Sequence, residues 1–126
     1  MNKDIFECED KNGNYLMWLV SDLWSASKSL PIKKLPIELF EQKIQQWINF
    51  TTKQENDKTI AYLDVEHFQR IRNADIKYPI ILNAEGSYVM DGMHRLLKVW
   101  LSGGTHIMVV QFVNDPRPKC TIKYVE

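Results

Sequence analysis

The residues best suited to chemistry form one segment, Asp91-Gly92-Met93-His94-Arg95, which separates two apolar runs. The run before it predicts a strand and the run after it a helix, so the segment lies at a strand-to-helix junction. The first turn of a helix has backbone N–H groups without partners and a partial positive charge, both of which attract anions. His94 and Arg95 add side-chain donors, and Gly92 lets a ligand approach the backbone. The segment therefore predicts a phosphate-binding turn at the N-terminus of a helix that starts near Met93.

The same segment also has an interpretation that needs no ligand. Asp91 can cap the helix with its carboxylate while His94 and Arg95 lie in solvent. Motifs this short are weak, so the sequence alone leaves this alternative open.

The apolar periodicity around the segment predicts the elements that position it. It predicts helices over residues 15–26, 38–50 and 59–73 and a further helix from Leu96 to the Gly103-Gly104 stop. The segment at 30–37 contains two prolines and is predicted as an edge strand or stretched connector, and residues 78–82 and 88–90 are predicted as the two arms of a hairpin. A further strand is predicted at 107–113, after the last helix, and a final strand or loose tail at 120–125. These elements predict an α+β fold in which a small mixed sheet packs against helices.

Length and composition limit the class of protein. A chain of 126 residues with 44% hydrophobic content fits one domain, and its 16 basic and 16 acidic residues cancel. Without net positive charge, nucleic-acid binding is disfavoured. An acidic N-terminal segment and the lack of a long apolar run predict a cytoplasmic protein with no membrane span. We expect no metal site, because neither Cys8 and Cys120 nor His67, His94 and His106 have the spacing of metal ligands.

Part of the chain resembles a known superfamily. The run VMDGMHRLL at 89–97, followed by GTHI at 104–107, resembles the core of the ParB/sulfiredoxin superfamily, clearly over residues 78–113 and loosely from residue 64. The resemblance implies a single ParB/sulfiredoxin-like domain over residues 1–126, with its core at about 60–113 and a helical N-terminal elaboration at 1–58. It also implies that Gly92, His94 and Arg95 contact nucleotide phosphates.

The differences from the superfamily restrict the chemistry. Sulfiredoxins have a cysteine nucleophile where this chain has Met93, and a thioether cannot act as a thiolate. Partition proteins of the ParB type usually have glutamate at that position. The Asp-Gly-x-His-Arg form is most similar to the free serine kinase branch, which uses ADP to phosphorylate a small hydroxyl substrate. We therefore expect Met93 to contribute to nucleotide binding and not to catalysis.

The resemblance places a second helix, which includes residues 65–73, opposite the turn. Phosphoryl transfer needs a carboxylate that orients or deprotonates the acceptor, and usually Mg²⁺. The candidates are Asp64, Asp91 and Glu66, of which we take Asp91 and Glu66 as catalytic, with His67 and Arg70 as further contacts to the nucleotide. The alternative is that Glu66 and Arg70 form a surface pair one helical turn apart and that His67 is solvated or partly buried.

Three functions follow as hypotheses. The first is a nucleotide-dependent phosphotransferase or NTPase that acts on a small molecule, with ATP, ADP or CTP and Mg²⁺ as cofactors. The second is a non-catalytic nucleotide or phosphate sensor that acts through a protein partner. The third, a DNA-binding or nuclease role, is disfavoured by the zero net charge.

Overall fold

The computed structural model describes residues 4–52 and 66–123. Asp64 and the first half of the helix predicted over 59–73 lie outside these residues. The strands in the described part are β1 Ile5–Glu9, β2 Tyr15–Leu19, β3 Lys33–Pro36, β4 Ile80–Leu82, β5 Val89–Asp91, β6 His106–Gln111 and β7 Cys120–Ile122. The helices there are α1 Val20–Ser27, α2 Glu41–Thr52, α3 at residues 66–73 and α4 Met93–Leu101, with a 3₁₀ turn at Ile37–Phe40.

The strands form two sheets where the sequence predicts one. The first sheet has the order β1-β2-β7, and both of its pairings are antiparallel. The second has the order β3-β6-β4-β5, in which β3 pairs antiparallel with β6 and β4 with β5. The hairpin predicted from residues 78–82 and 88–90 is confirmed by the β4–β5 pair, and the proline-containing segment is an edge strand as predicted. The α+β class is therefore confirmed, and the prediction of a single sheet is wrong.

The helix predicted over residues 15–26 is wrong in its first half. Residues 15–19 form β2, and only the part from Val20 onward is helical. β1 pairs with β2 in the register Phe6 to Trp18, and the turn between them contains Gly13 at φ +79°. Because residues 15–19 are apolar at every position, they satisfy a helical stripe and a strand equally well, and pairing with β1 decides between them. The N-terminal part of the chain is thus not only helical.

The described residues divide into two compact units that alternate along the chain. Of the described residues, unit 1 comprises 4–31, 81–91 and 110–123, and unit 2 comprises 32–52, 66–80 and 92–109. The core of unit 1 consists of buried apolar side chains from its strands and α1, namely Trp18, Leu23, Ile81, Met90, Val110 and Phe112. The buried apolar side chains of unit 2 include Phe40, Ile44, Ile71, Ile80, Leu96, Leu97, Ile107 and Val109. The turn at Gly92 to Arg95 belongs to unit 2.

Helix α4 ends as its sequence predicts. Gly103 has φ +76°, its N–H donates to the Trp100 carbonyl at 3.1 Å, and the Gly104 N–H donates to the Val99 carbonyl at 2.9 Å. These two bonds satisfy carbonyls that a helix end otherwise leaves unpaired. A bilayer span would need a longer and more apolar helix than any found in residues 4–52 and 66–123.

Candidate functional site

Gly92 makes the change of direction from β5 to α4 possible. Its φ of +101° lies in the left-handed region, which side chains with a Cβ rarely adopt. A Cβ at this position would lie 2.7 Å from Nη2 of Arg95 and 2.8 Å from Cγ2 of Ile80. Both the conformation and the space therefore require glycine here.

The N-terminus of α4 follows directly on β5. The N-cap residue is Gly92, and Asp91 is the last residue of β5, where it pairs with Ile81. Gly92 has no side chain that could make a capping hydrogen bond, and the first turn of the helix contains no acidic residue. The left-handed glycine therefore takes the N-cap position, one residue after Asp91, and capping by the Asp91 carboxylate stays a prediction. The helix begins at Met93 as predicted, with its first internal hydrogen bond from the Leu96 N–H to the Gly92 carbonyl at 2.9 Å.

Arg95 lies against this turn and is half-buried. Its Nη2 donates to the carbonyl of Pro79 at 3.1 Å, which connects the first turn of α4 to the residue before β4. The guanidinium is therefore held beside Gly92 by a backbone contact. Arg95 has a structural role there, and its fixed position near a helix N-terminus also suits recognition of an anion.

Two imidazoles meet beside the first turn of α4. Nδ1 of His67, on α3, lies 3.4 Å from Nε2 of His94, and the two rings stack with centroids 5.7 Å apart. Both side chains are half-buried. A hydrogen bond between these nitrogens requires one to donate and the other to accept, so the pair can share a proton. The predicted proximity of the turn and the second helix is confirmed by this contact.

Trp47 of α2 completes the cluster. Its ring meets the His67 ring edge to face at 4.9 Å and the His94 ring at 5.8 Å. The helical periodicity of α2 indicates that Trp47 is on an apolar face, but nothing in the sequence spacing connects it to histidines 20 and 47 residues away. It is the site residue that sequence reasoning left out. We call Trp47, His67 and His94 the aromatic triad.

Lys98 fixes α3 relative to α4. Its Nζ donates to the carbonyls of Arg72 and Ala74, each at 2.8 Å. These carbonyls lie at the C-terminal end of α3, where a cation is favourable because the helix dipole is negative. This contact positions His67 beside His94.

Glu66 and Arg70 form an ion pair with each other. The Glu66 carboxylate and the Arg70 guanidinium are 3.2 Å apart, and their side chains are 61% and 59% exposed. This is the surface pair that their spacing allows as the alternative to a ligand contact. An exposed pair of this kind contributes little to stability.

The donors at the turn suit an anion better than a metal ion. Backbone N–H groups, imidazoles and a guanidinium donate hydrogen bonds, whereas Mg²⁺ requires oxygen ligands. Within residues 4–52 and 66–123 no three histidine, cysteine, aspartate or glutamate side chains are grouped to hold a metal ion.

Comparison of this chain with family models, with curated proteins and with solved structures finds no match.

Proposed function

We propose that this chain binds a phosphate group, carried by a nucleotide or another small phosphorylated molecule, at the turn from Gly92 to Arg95. The observation that supports this most strongly is the N-terminus of α4, which begins at the left-handed Gly92 and beside which two imidazoles and a guanidinium lie. Met93 and His94 supply first-turn backbone N–H groups at this end of the helix.

The energy for binding comes from several modest terms. A helix N-terminus favours an anion by about 0.3–1 kcal/mol when exposed and up to about 2 kcal/mol when partly buried. A hydrogen bond that involves a charged group contributes about 1.5–3 kcal/mol. Because Arg95 and His94 are half-buried, such bonds are screened by solvent less than they would be on an open surface. Together these terms are sufficient for a phosphate ligand.

The test is ligand-dependent thermal stabilisation. A ligand that binds only the folded state raises the melting temperature, so inorganic phosphate, ADP, ATP and CTP are compared with and without Mg²⁺. We expect at least one of them to raise the melting temperature of the native protein, and His94→Ala and Arg95→Lys to reduce the increase. Arg95→Lys keeps the positive charge but removes the planar fork of donors.

The matched controls are His106→Ala and Arg72→Ala. His106 is exposed at the start of β6, and the Arg72 side chain is exposed on α3. Each control removes the same chemical group as one test variant, so both should retain the full ligand-induced stabilisation. Stabilisation by none of the ligands, or equal losses in test and control variants, would refute phosphate binding at this turn.

A second candidate function is nucleotide-dependent phosphoryl transfer or hydrolysis, and the contact between His67 and His94 favours it. An imidazole pair can accept a proton at one ring and release one at the other. Asp91, the residue before Gly92 in the chain, is the carboxylate we propose to act on the acceptor, with Glu66 as the alternative.

Turnover distinguishes the enzyme from a sensor that acts through a protein partner. The enzyme should release phosphate from the nucleotide or transfer it to a small hydroxyl compound. Loss of this activity in His67→Gln and Asp91→Asn, while both variants still bind the nucleotide, would support the enzyme. Binding with no turnover in the native protein, unaffected by Glu66→Ala or Asp91→Asn, would support the sensor.

A further inference from the structure

Unit 1 contains a cleft that is separate from the phosphate site. Its volume is about 590 Å³, which is within the usual range for small-molecule sites. The residues that line it come from β1, the β1–β2 turn, β2, the β4–β5 loop, β5 and the segment after β6, and all of them belong to unit 1.

Three aromatic side chains line this cleft. Phe6 lies between the other two, with its ring centroid 5.9 Å from that of Trp18 and 5.8 Å from that of Tyr88. The rings are tilted by 38° and 59° relative to Phe6, so they form a bent surface and not a flat stack. Tyr88 is 43% exposed, and its ring is therefore accessible to a ligand. Trp18 is only 5% exposed, so Tyr88 and the half-buried Phe6 supply most of the accessible aromatic surface, and such a surface attracts cations through the negative faces of its rings.

The charged residues that line the cleft are mostly acidic. The four carboxylates are those of Glu9, Asp10, Glu85 and Asp115, and the basic residue among the lining side chains is Lys11. Burial raises the pKa of the Cys8 thiol, and the Asp115 and Asp10 carboxylates raise it further, so the negative potential of these two carboxylates reaches the cleft at Cys8. A potential that disfavours a thiolate favours a cation.

The loops that hold these carboxylates are fixed by hydrogen bonds. The Asp115 carboxylate accepts from the Ala84 N–H at 2.7 Å, and the Asp10 carboxylate accepts from the N–H groups of Asn12 and Asn14 at 2.8 and 2.9 Å. Trp18 also donates to the Pro116 carbonyl at 2.8 Å. Little ordering is therefore needed when a ligand binds, which favours affinity.

Asn83 orients the aromatic residue at the exposed side. It is 7% exposed, its Nδ2 donates to the Ser87 hydroxyl at 2.9 Å, and its Oδ1 accepts from the Tyr88 N–H at 2.8 Å. A buried amide whose bonds all go to the surrounding loop gives that loop one conformation. The position of Tyr88 at the cleft is thus fixed before any ligand arrives.

We propose that this cleft binds a small organic cation that carries an alkylated ammonium group. Alkyl groups fit against Phe6, Trp18 and Tyr88, while the positive charge is stabilised by the ring faces and by the surrounding carboxylates. A phosphate or carboxylate ligand would be repelled by these carboxylates, and a neutral ligand would gain nothing from them. The proposal concerns a different unit from the phosphate site and does not depend on it.

The test compares two molecules of similar shape and different charge. Choline carries a quaternary ammonium, and 3,3-dimethyl-1-butanol replaces it with a neutral tertiary-butyl group. Binding of each to the full chain is measured by titration in two-dimensional NMR, from the Trp18 indole N–H and the Tyr88 amide. We expect choline to shift both signals in a saturable way that weakens with added salt, and the neutral alcohol to shift them little.

Two variants at exposed positions test the assignment to this cleft. Tyr88→Ala should weaken choline binding about two- to thirtyfold through loss of the cation–π contact, and Glu85→Gln about two- to fivefold. The controls in unit 2 are Tyr78→Ala, at a tyrosine that is 47% exposed, and Glu38→Gln, at an exposed glutamate. Neither control should change the affinity.

Three results would overturn the proposal. These are no saturable shift with choline, equal binding of choline and the neutral alcohol, and choline binding that Tyr88→Ala leaves unchanged in a variant with a native spectrum. Loss of phosphate binding at Gly92 would not alter any of them, so the two sites are tested separately.

Discussion

At the scale of single residues, Gly92 combines a backbone requirement with a packing requirement. Its positive φ carries a cost for any L side chain, and a Cβ there would come within 2.8 Å of two neighbouring side-chain atoms. Gly103, at the other end of α4, has a positive φ but no heavy atom within 4 Å of such a Cβ. Substitution of Gly103 therefore measures the free-energy cost of the left-handed conformation alone, whereas substitution of Gly92 adds the cost of a steric clash.

We predict that Gly103→Ala lowers the free energy of unfolding by about 1–2 kcal/mol, the usual cost of a left-handed non-glycine residue. Gly92→Ala should lower it further, because Arg95 and Ile80 must also move, and should abolish phosphate-dependent stabilisation. Urea unfolding of both variants measures the difference. Equal losses in the two variants would show that the contacts around Gly92 are not needed for stability.

Asp10 gives a second prediction at the residue scale, through pH. Hydrogen bonds to its carboxylate, first from the Asn14 backbone, hold its pKa below the usual value of an aspartate. A lowered pKa in the folded state stabilises the fold above the pKa of the unfolded chain, and this contribution is lost as the pH falls through the folded value. We expect Asp10→Ala to be less stable than the native protein at about pH 7 and the difference to shrink at about pH 3.

Chemical unfolding at the two pH values tests this dependence. Asp10→Asn serves as the comparison, because its amide oxygen still accepts hydrogen bonds but does not titrate in acid. If Asp10→Ala and the native protein differ in stability as much in acid as at neutral pH, the assigned role of the carboxylate is contradicted.

At the scale of elements, Lys98 links two helices that are distant in sequence. We predict that Lys98→Met lowers the free energy of unfolding by about 1.5–3 kcal/mol, because two backbone carbonyls lose bonds to a charged donor. Loss of the link should also separate His67 from His94, and NMR spectra of the imidazoles would detect the change. Lys43→Met, the same exchange on α2, is the control and should leave both imidazole spectra unchanged.

The elements differ in how far the sequence determines them. Helix α4 and the β4–β5 hairpin follow from local patterns, since apolar periodicity and glycine positions specify them within a few residues. The local pattern does not specify β2, because an uninterrupted apolar run fits the period of a helix and that of a strand equally well. A signal for the β1–β2 hairpin is present in the sequence. Phe6 and Cys8 alternate with exposed neighbours in β1, and a turn with Gly13 follows.

At the scale of the whole molecule, each unit is assembled from separate stretches of the chain. The first sheet takes β1 and β2 from the N-terminal part and β7 from the C-terminal part. Trp18 and Leu23 of the N-terminal stretch belong to the same core as residues from β4, β5 and β6. Neither unit is therefore a contiguous segment of the chain.

We predict that a fragment of residues 32–126 does not fold as the full chain does. Removal of residues 1–31 takes away two strands, α1 and part of the unit 1 core, so that Val110 and Phe112 lose Trp18 and Leu23 from their cluster. We expect the fragment to lose near-ultraviolet circular dichroism and to bind a hydrophobic dye. A fragment with a cooperative thermal transition and a native-like spectrum would contradict this.

The sequence by itself determined the features that depend on near neighbours. These are the glycine turn at residue 92, the start and stop of α4, and the presence of His94 and Arg95 in its first turn, because helix termini and left-handed positions are set by local chemistry. Only the tertiary structure decided which distant side chains join them. The contact of His94 with His67 and Trp47 depends on the packing of three helices, and contacts between residues so far apart in the chain are not encoded in any local period.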